Sequence, residues 1–235
     1  MLAGSSLKPA LELAQRHGHE EHAALTFNRL VMYSVRHRGF DIARVHVEPG
    51  LEYCTERGLD TFRLYLLGCR ARMELDLGDW DQAAESAGRV LRDPRSAQLA
   101  RTWALVTLGL VRARRGDPDA LAPLQEAHAM VEPTLELDRI AQVAAARAEA
   151  SWLSGDHATV KQGTDAALAL ALDRLDPWAV GELAYWRSRA GLHDELPAGL
   201  MAKPYQLSMA GQCTEAADTW RKLGCPYEAA LALAE

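Results

Sequence analysis

Apolar and small residues recur at helical spacing along most of the chain. From Asp60 to Leu77 the positions Leu64, Leu67, Ala71, Met73 and Leu75 describe a broadly buried helix. Between Ala97 and Arg115, Ala100, Ala104, Leu108 and Val111 fall on one stripe. Between Leu137 and Trp152 the stripe is Ile140, Ala144, Arg147, Ala148 and Ser151, with Arg147 its one charged exception. Patterns of this kind predict about twelve helices, over residues 7–17, 20–38, 41–57, 60–77, 80–92, 96–115, 118–131, 136–154, 157–174, 177–190, 202–223 (broken at Gly211) and 226–235. Pro49-Gly50 lies inside the third, where a break or kink is expected because proline removes a helical hydrogen bond.

Glycines close these segments at a regular interval. Gly39, Gly78, Gly116, Gly155 and Gly191 are separated by 39, 38, 39 and 36 residues. Aspartate follows three of them, in Gly78-Asp79-Trp80, Gly116-Asp117-Pro118 and Gly155-Asp156-His157. Glycine takes the left-handed conformation past a helix C-terminus without steric penalty. The aspartate is then expected to accept a hydrogen bond from an orphan N–H of the next helix, with Asp79 and Gln82 in capping-box register. Asp117-Pro118 and Asp176-Pro177 would put proline at the first helical position. Each Gly-Asp pair thus reads as a tight corner between antiparallel helices.

Composition agrees. The 235 residues include 41 alanines and 35 leucines but only 13 valines and isoleucines, which favours helices and argues against an all-β or parallel α/β protein. A net charge of −6 repels phosphate backbones, so no direct nucleic-acid binding is expected. The longest helix-like apolar stretch, Thr102 to Val111, is short of the ~20 residues that span a bilayer, and Met1 to Lys8 has no secretory pattern. Cys54, Cys69, Cys213 and Cys225 form no C-x-x-C pair. The expectation is a cytoplasmic protein with small buried thiols, no membrane contact and no cofactor.

Helix pairs that repeat every 36–39 residues cannot bury their apolar faces singly and must stack. The expected fold is all-α, an α-solenoid of antiparallel helix pairs in a right-handed superhelix, with an array over residues 1–200 and an atypical helical segment over 201–235. Leu108-Gly109, followed by Gly116 and Pro133, resembles the tetratricopeptide repeat. The small position of that repeat falls seven residues before each corner glycine, here at Met32, Ala71, Gly109, Ala148 and Ala184.

A second resemblance rests on the run Asp176-Pro177-Trp178-Ala179-Val180-Gly181-Glu182-Leu183-Ala184-Tyr185-Trp186, on Lys203-Pro204-Tyr205, on Ala216-Ala217-Asp218-Thr219-Trp220, and on Leu223-Gly224-Cys225-Pro226-Tyr227 through Leu233. Leu64 to Gly68, Gly78 to Ala84 and Val143 to Leu153 extend it upstream. Together these are similar to the tetratricopeptide-like region of large ATP-binding LuxR-type (MalT-like) transcriptional regulators. The resemblance implies a sensor or scaffold segment. It does not carry over ATPase or DNA-binding activity, because the chain has no G-x-x-x-x-G-K-[ST] loop and no helix-turn-helix reader. The sequence stops at Glu235 within the last expected helix, and weak self-association through Pro226 to Leu233 is expected from an uncapped solenoid end.

Candidate chemistry is sparse. His17-Gly18-His19-Glu20-Glu21-His22 is the densest group of metal-ligand types, but it lacks the H-E-x-x-H spacing and reads as a helix junction closed by Gly18. Arg112, Arg114 and Arg115 complement a helix C-terminus. Cys225 has no partner in sequence for nucleophilic work, and catalysis by the histidines or by Glu149 is the minor alternative.

Aromatics and arginines dominate binding hot spots. In a tetratricopeptide array the first helix of each pair lines the concave groove. That register selects Arg29, Tyr33 and Arg36, then Tyr65 and Arg72, then Trp103 and Arg114, then Gln142, Glu149 and Trp152, and finally Trp178, Tyr185 and Arg189. The expected occupant is a protein or peptide partner, or a small effector. A stand-alone interaction adaptor unrelated to transcription is the alternative to the regulator segment.

Overall fold

The structure, a computed structural model, describes residues 2–132, 134, 136–197 and 199–234, with side chains from Leu7 onward. The described residues form thirteen α-helices and no strand. These are α1 (Leu2–Arg16), α2 (Glu20–Arg36), α3 (Phe40–Glu56), α4 (Asp60–Asp76), α5 (Trp80–Arg92), α6 (Gln98–Arg115), α7 (Leu121–Val131), α8 (Leu137–Leu153), α9 (Ala158–Asp173), α10 (Pro177–Arg189), α11 (Lys203–Met209), α12 (Cys213–Lys222) and α13 (Pro226–Leu233). None of them is long and apolar enough to cross a membrane.

Two compact units divide the chain within α6, at Ala104/Leu105. In the first unit α1 packs on α2, α2 on α3 and α4 on α5, while α4 also lies against both α2 and α3. In the second unit α7 packs on α8, α8 on α9, and α10 against both. The chain then continues through successive contacts α10–α11, α11–α12 and α12–α13. In both units, then, helices two apart in sequence touch, α2 with α4 and α8 with α10.

The corners explain this regularity. In the first unit left-handed residues stand at 18, 38, 58 and 78, twenty apart. At each, the next N–H donates to the carbonyl five residues back: His19 to Ala14 (2.9 Å), Gly39 to Ser34 (2.8 Å), Leu59 to Cys54 (2.9 Å) and Asp79 to Glu74 (2.9 Å). This is the Schellman pattern, which satisfies orphan carbonyls while reversing the chain. The second unit repeats it at Gly116, Gly155, Leu175, Gly191, Gly211 and Gly224.

Several expectations are corrected. Gly39 does not hold the left-handed position; Arg38 does (φ 56°), and Gly39 follows it at φ −84°. Asp79 makes no side-chain cap; its backbone stands at ψ 60°, short of the extended conformation of a capping residue. Helices α7 and α9 begin past their Gly-Asp pairs, with Ala120 and His157 at the N-cap and no side-chain cap bond, so Pro118 is not a first-turn residue. Asp176 alone behaves as expected, accepting from the N–H groups of Trp178 and Ala179 ahead of Pro177. Helix α3 runs unbroken past Pro49. The 202–223 segment is two helices that meet at Gly211, as read from the sequence.

Close packing is concentrated where small residues meet large ones. A Cβ on Gly109 would lie 2.5 Å from Leu124 Cγ, and one on Gly181 would lie 2.5 Å from Tyr205 Cδ2. Ala71, Ala148 and Ala184 are buried, so four of the five small positions read from the sequence lie inside; Met32 is half-buried.

Candidate binding faces

In the first unit, Arg29, Tyr33 and Arg36 fall at i, i+4 and i+7 on α2 and share one face of that helix. Arg29 is exposed and the other two are half-buried. Tyr33 is held by a stack on His37, with ring centroids 4.0 Å apart.

The α4 candidates differ. Tyr65 and Arg72 are buried. Arg72 Nε donates to Asp76 Oδ1 at 2.9 Å, and Arg38 Nη1 pairs with Asp76 Oδ2 at 3.3 Å. Two guanidiniums therefore neutralise one buried carboxylate. Tyr65 meets Trp103 edge-on at 6.5 Å, and Trp103 is buried too. Tyr65, Arg72 and Trp103 thus present no surface to a partner. Tyr65 and Arg72 belong to the core because α4 is covered by α2, α3 and α5.

In the second unit Arg114 does more than complement the C-terminus of α6. Its Nε donates to Glu149 Oε1 at 2.7 Å and its Nη2 to Glu149 Oε2 at 3.2 Å, a bidentate pair. Nη2 also reaches Glu228 Oε1 at 3.4 Å, and the guanidinium lies 3.8 Å from the centre of the Tyr227 ring. The side chains of Arg114 and Glu149 are 2% and 3% exposed. Burial opposes the guanidinium charge, but Glu149 and Glu228 outweigh it and hold the Arg114 pKa above its ordinary value. Burial, reinforced by Glu149, pushes the Tyr227 phenol up. Beside this network lies a cavity of about 20 Å³, reached by Glu182, Tyr185, Tyr205 and Trp220, which is room for about one water molecule.

The remaining candidates form an aromatic step. Trp152 Nε1 donates to the Arg189 carbonyl at 3.1 Å, and the Arg189 guanidinium lies 4.4 Å from the Trp152 ring centre. Trp152 also meets Trp186 at 5.7 Å. Trp178 packs 6.2 Å from both Tyr205 and Trp220. Trp152, Trp178 and Arg189 are half-buried, while Tyr185 is buried. Gln142 stands on the Glu149 side of α8 with its amide oxygen and nitrogen buried and without a hydrogen-bond partner among the described residues.

The accessible part of the sequence-derived face is therefore Arg29, Tyr33 and Arg36 in one unit and Trp152, Trp178 and Arg189 in the other, with the Gln142 amide enclosed beside the latter. Sequence reasoning missed Tyr227 and Glu228 as partners of Arg114, and Tyr205 as the ring against Gly181. Only the Pro-Tyr pairs that open α11 and α13 mark those residues in the sequence.

The histidine cluster does not converge. His17 and His19 rings are 6.2 Å apart, and His19 and His22 rings 5.8 Å apart. No group of three or more possible metal ligands occurs among the described residues. Burial pushes the Cys54 thiol up to about 11, and Cys225 is buried.

No family model matches the sequence, and comparison with curated proteins and with solved structures finds no match.

Proposed function

We propose that this chain is a non-catalytic, tetratricopeptide-like sensor or scaffold segment of a LuxR-type transcriptional regulator, acting in the cytoplasm. It binds a protein partner or small effector on the open faces of its first helices. The observation that carries the reading is the contact between alternate helices, α2 with α4 and α8 with α10, combined with aromatic and arginine side chains in helical register on those helices. Alternate-helix contact of this kind is what stacked helix pairs produce. The unpartnered Gln142 amide on the same side of α8 as Glu149 adds a hydrogen-bonding group for a ligand. An occupant would act by favouring one packing of neighbouring pairs over another, which an attached domain could sense.

A thermal-shift screen of peptides and metabolites tests this, since a ligand specific to the folded state raises Tm. Stabilising compounds should lose their effect on Arg29→Glu/Arg36→Glu or on Arg189→Glu. Stabilisers that act equally on all these variants would contradict the assignment. Light scattering tests the weak self-association expected through α13, where Leu233 is exposed; a strictly monomeric protein at high concentration would refute that part.

A further inference from the structure

Within the second unit, α7 and α9 flank α8, and a groove of about 760 Å³ opens along them. That volume is in the range of small-molecule sites. Val131, Ile140, Ala144, Ala167 and Leu170 give it apolar walls. The groove lies off the Glu149 face of α8. At about 100° per residue around α8, Arg147 is turned roughly 160° from Glu149, so the inference does not depend on the proposed partner face.

Two features of the groove lack an explanation in the fold. The first is Arg147, which lines it and forms no ion pair with any described residue. Burial draws its pKa below the ordinary guanidinium value, and Glu132 only partly compensates. His128, also on the groove, is driven towards its neutral form by burial and by Arg147 itself, so it does not add a second cation at neutral pH. The second feature is Gly163, in the interior of α9. A glycine there weakens a helix relative to alanine. At Gly68, Gly109 and Gly181 a Cβ would press on a neighbour at 3.2 Å or less, which accounts for the glycine; at Gly163 it would meet nothing within 4 Å. The α9 backbone is left bare where the groove runs past it.

We infer that the groove holds a small amphiphile with one carboxylate: its aliphatic body lies along Val131, Ile140 and Leu170 and passes over Gly163, and its carboxylate pairs with Arg147. A guanidinium matches a carboxylate bidentately. One unpaired cation with Glu132 nearby suits a singly charged head group better than a doubly charged phosphate. The apolar walls supply the rest of the attraction.

The experiment uses the full chain with decanoate, decanol and decyltrimethylammonium as probes, each below its micelle concentration, followed by calorimetry and by NMR shifts at Ala144, Arg147 and Gly163. Decanoate should bind at one saturable site, at least tenfold more tightly than decanol, with no binding of the ammonium compound. Arg147→Ala should reduce decanoate affinity tenfold or more and leave decanol unchanged, whereas Arg147→Lys should retain part of the preference. Gly163→Leu, whose Cβ meets nothing within 4 Å, should keep or raise Tm and abolish binding of both. Equal affinity for decanoate and decanol, indifference to Arg147→Ala, or undiminished binding by Gly163→Leu would each overturn the inference. So would an absence of decanoate binding, or self-association that Gly163→Leu abolishes, which would give the groove to a second copy of the chain.

Discussion

Replacing Arg114 by methionine is the sharpest test of the second unit. The guanidinium makes two hydrogen bonds to Glu149 (2.7 and 3.2 Å), reaches Glu228 at 3.4 Å and stacks on Tyr227. Arg114 and Glu149 have almost no solvent contact, and the Glu228 side chain is 12% exposed. Methionine fills much of the volume but leaves two carboxylates in one buried space without a cation. Breaking a buried pair from one side costs about 3–5 kcal/mol. At roughly 2–4 °C per kcal/mol for a chain of this size, Tm should fall by about 6–20 °C. Arg114→Met/Glu149→Leu removes the more deeply buried of the two stranded carboxylates with the cation, leaves Glu228 at the partly open edge, and should recover about half of that loss, since apolar replacements of buried pairs are often close to neutral. Urea unfolding followed by circular dichroism, over the full double-mutant cycle, gives the coupling directly. A loss below about 1 kcal/mol for Arg114→Met, the range of exposed pairs, or simple additivity in the cycle, would refute the buried network.

Other expectations follow from packing and backbone. Gly181→Ala places a Cβ 2.5 Å from a buried tyrosine ring and should destabilise by about 1–3 kcal/mol, as read by urea unfolding; a neutral result would mean the α10–α11 approach is looser than described. Leu175 is left-handed at φ 52° and 67% exposed, so Leu175→Gly should stabilise by up to about 1 kcal/mol, and a lower Tm would count against the corner geometry. Asp93 accepts hydrogen bonds from the Arg95 side chain and backbone N–H, which hold its carboxyl at about 2 instead of 3.8. Because the folded value is the lower one, the stability this gives is fully present above pH 3.8 and disappears as pH falls through 2. The Tm difference between wild type and Asp93→Asn should therefore be constant at neutral pH and close in acid; a difference that grows on acidification would contradict the assignment.

The helices and half of their corners were legible because both signals are local. A glycine after an apolar stripe marks the left-handed stop at Gly78, Gly116, Gly155, Gly191 and Gly211, though not at Gly39. Arg38 and Leu175 were not legible, since they adopt the same conformation without the residue type that advertises it. Asp79 misled because a Gly-Asp pair does not fix the backbone at the cap: Asp79 stands at ψ 60°, whereas Asp176, which does cap, is extended at ψ 104°. The register of the first helices brought Arg29, Tyr33 and Arg36 onto one face, but periodicity carries no information about depth, and it ranked Tyr65, Arg72 and Trp103 alongside them. Arg114 shows the limit most plainly. Its partner Glu228 lies 114 residues away, and a pairing at that distance depends on the whole path of the chain between them. Arg147, in contrast, was visible from the start as the charge that interrupts an apolar stripe.

Selection of a displayed random-peptide library on the folded chain tests the central claim most directly, followed by titration of the selected peptides against charge-reversal variants. The account predicts that binding falls tenfold or more on Arg29→Glu/Arg36→Glu or on Arg189→Glu, and is unchanged by Glu85→Lys on α5 or Asp173→Lys on α9. Peptides that respond to Glu85→Lys or Asp173→Lys and ignore the first-helix substitutions would contradict it.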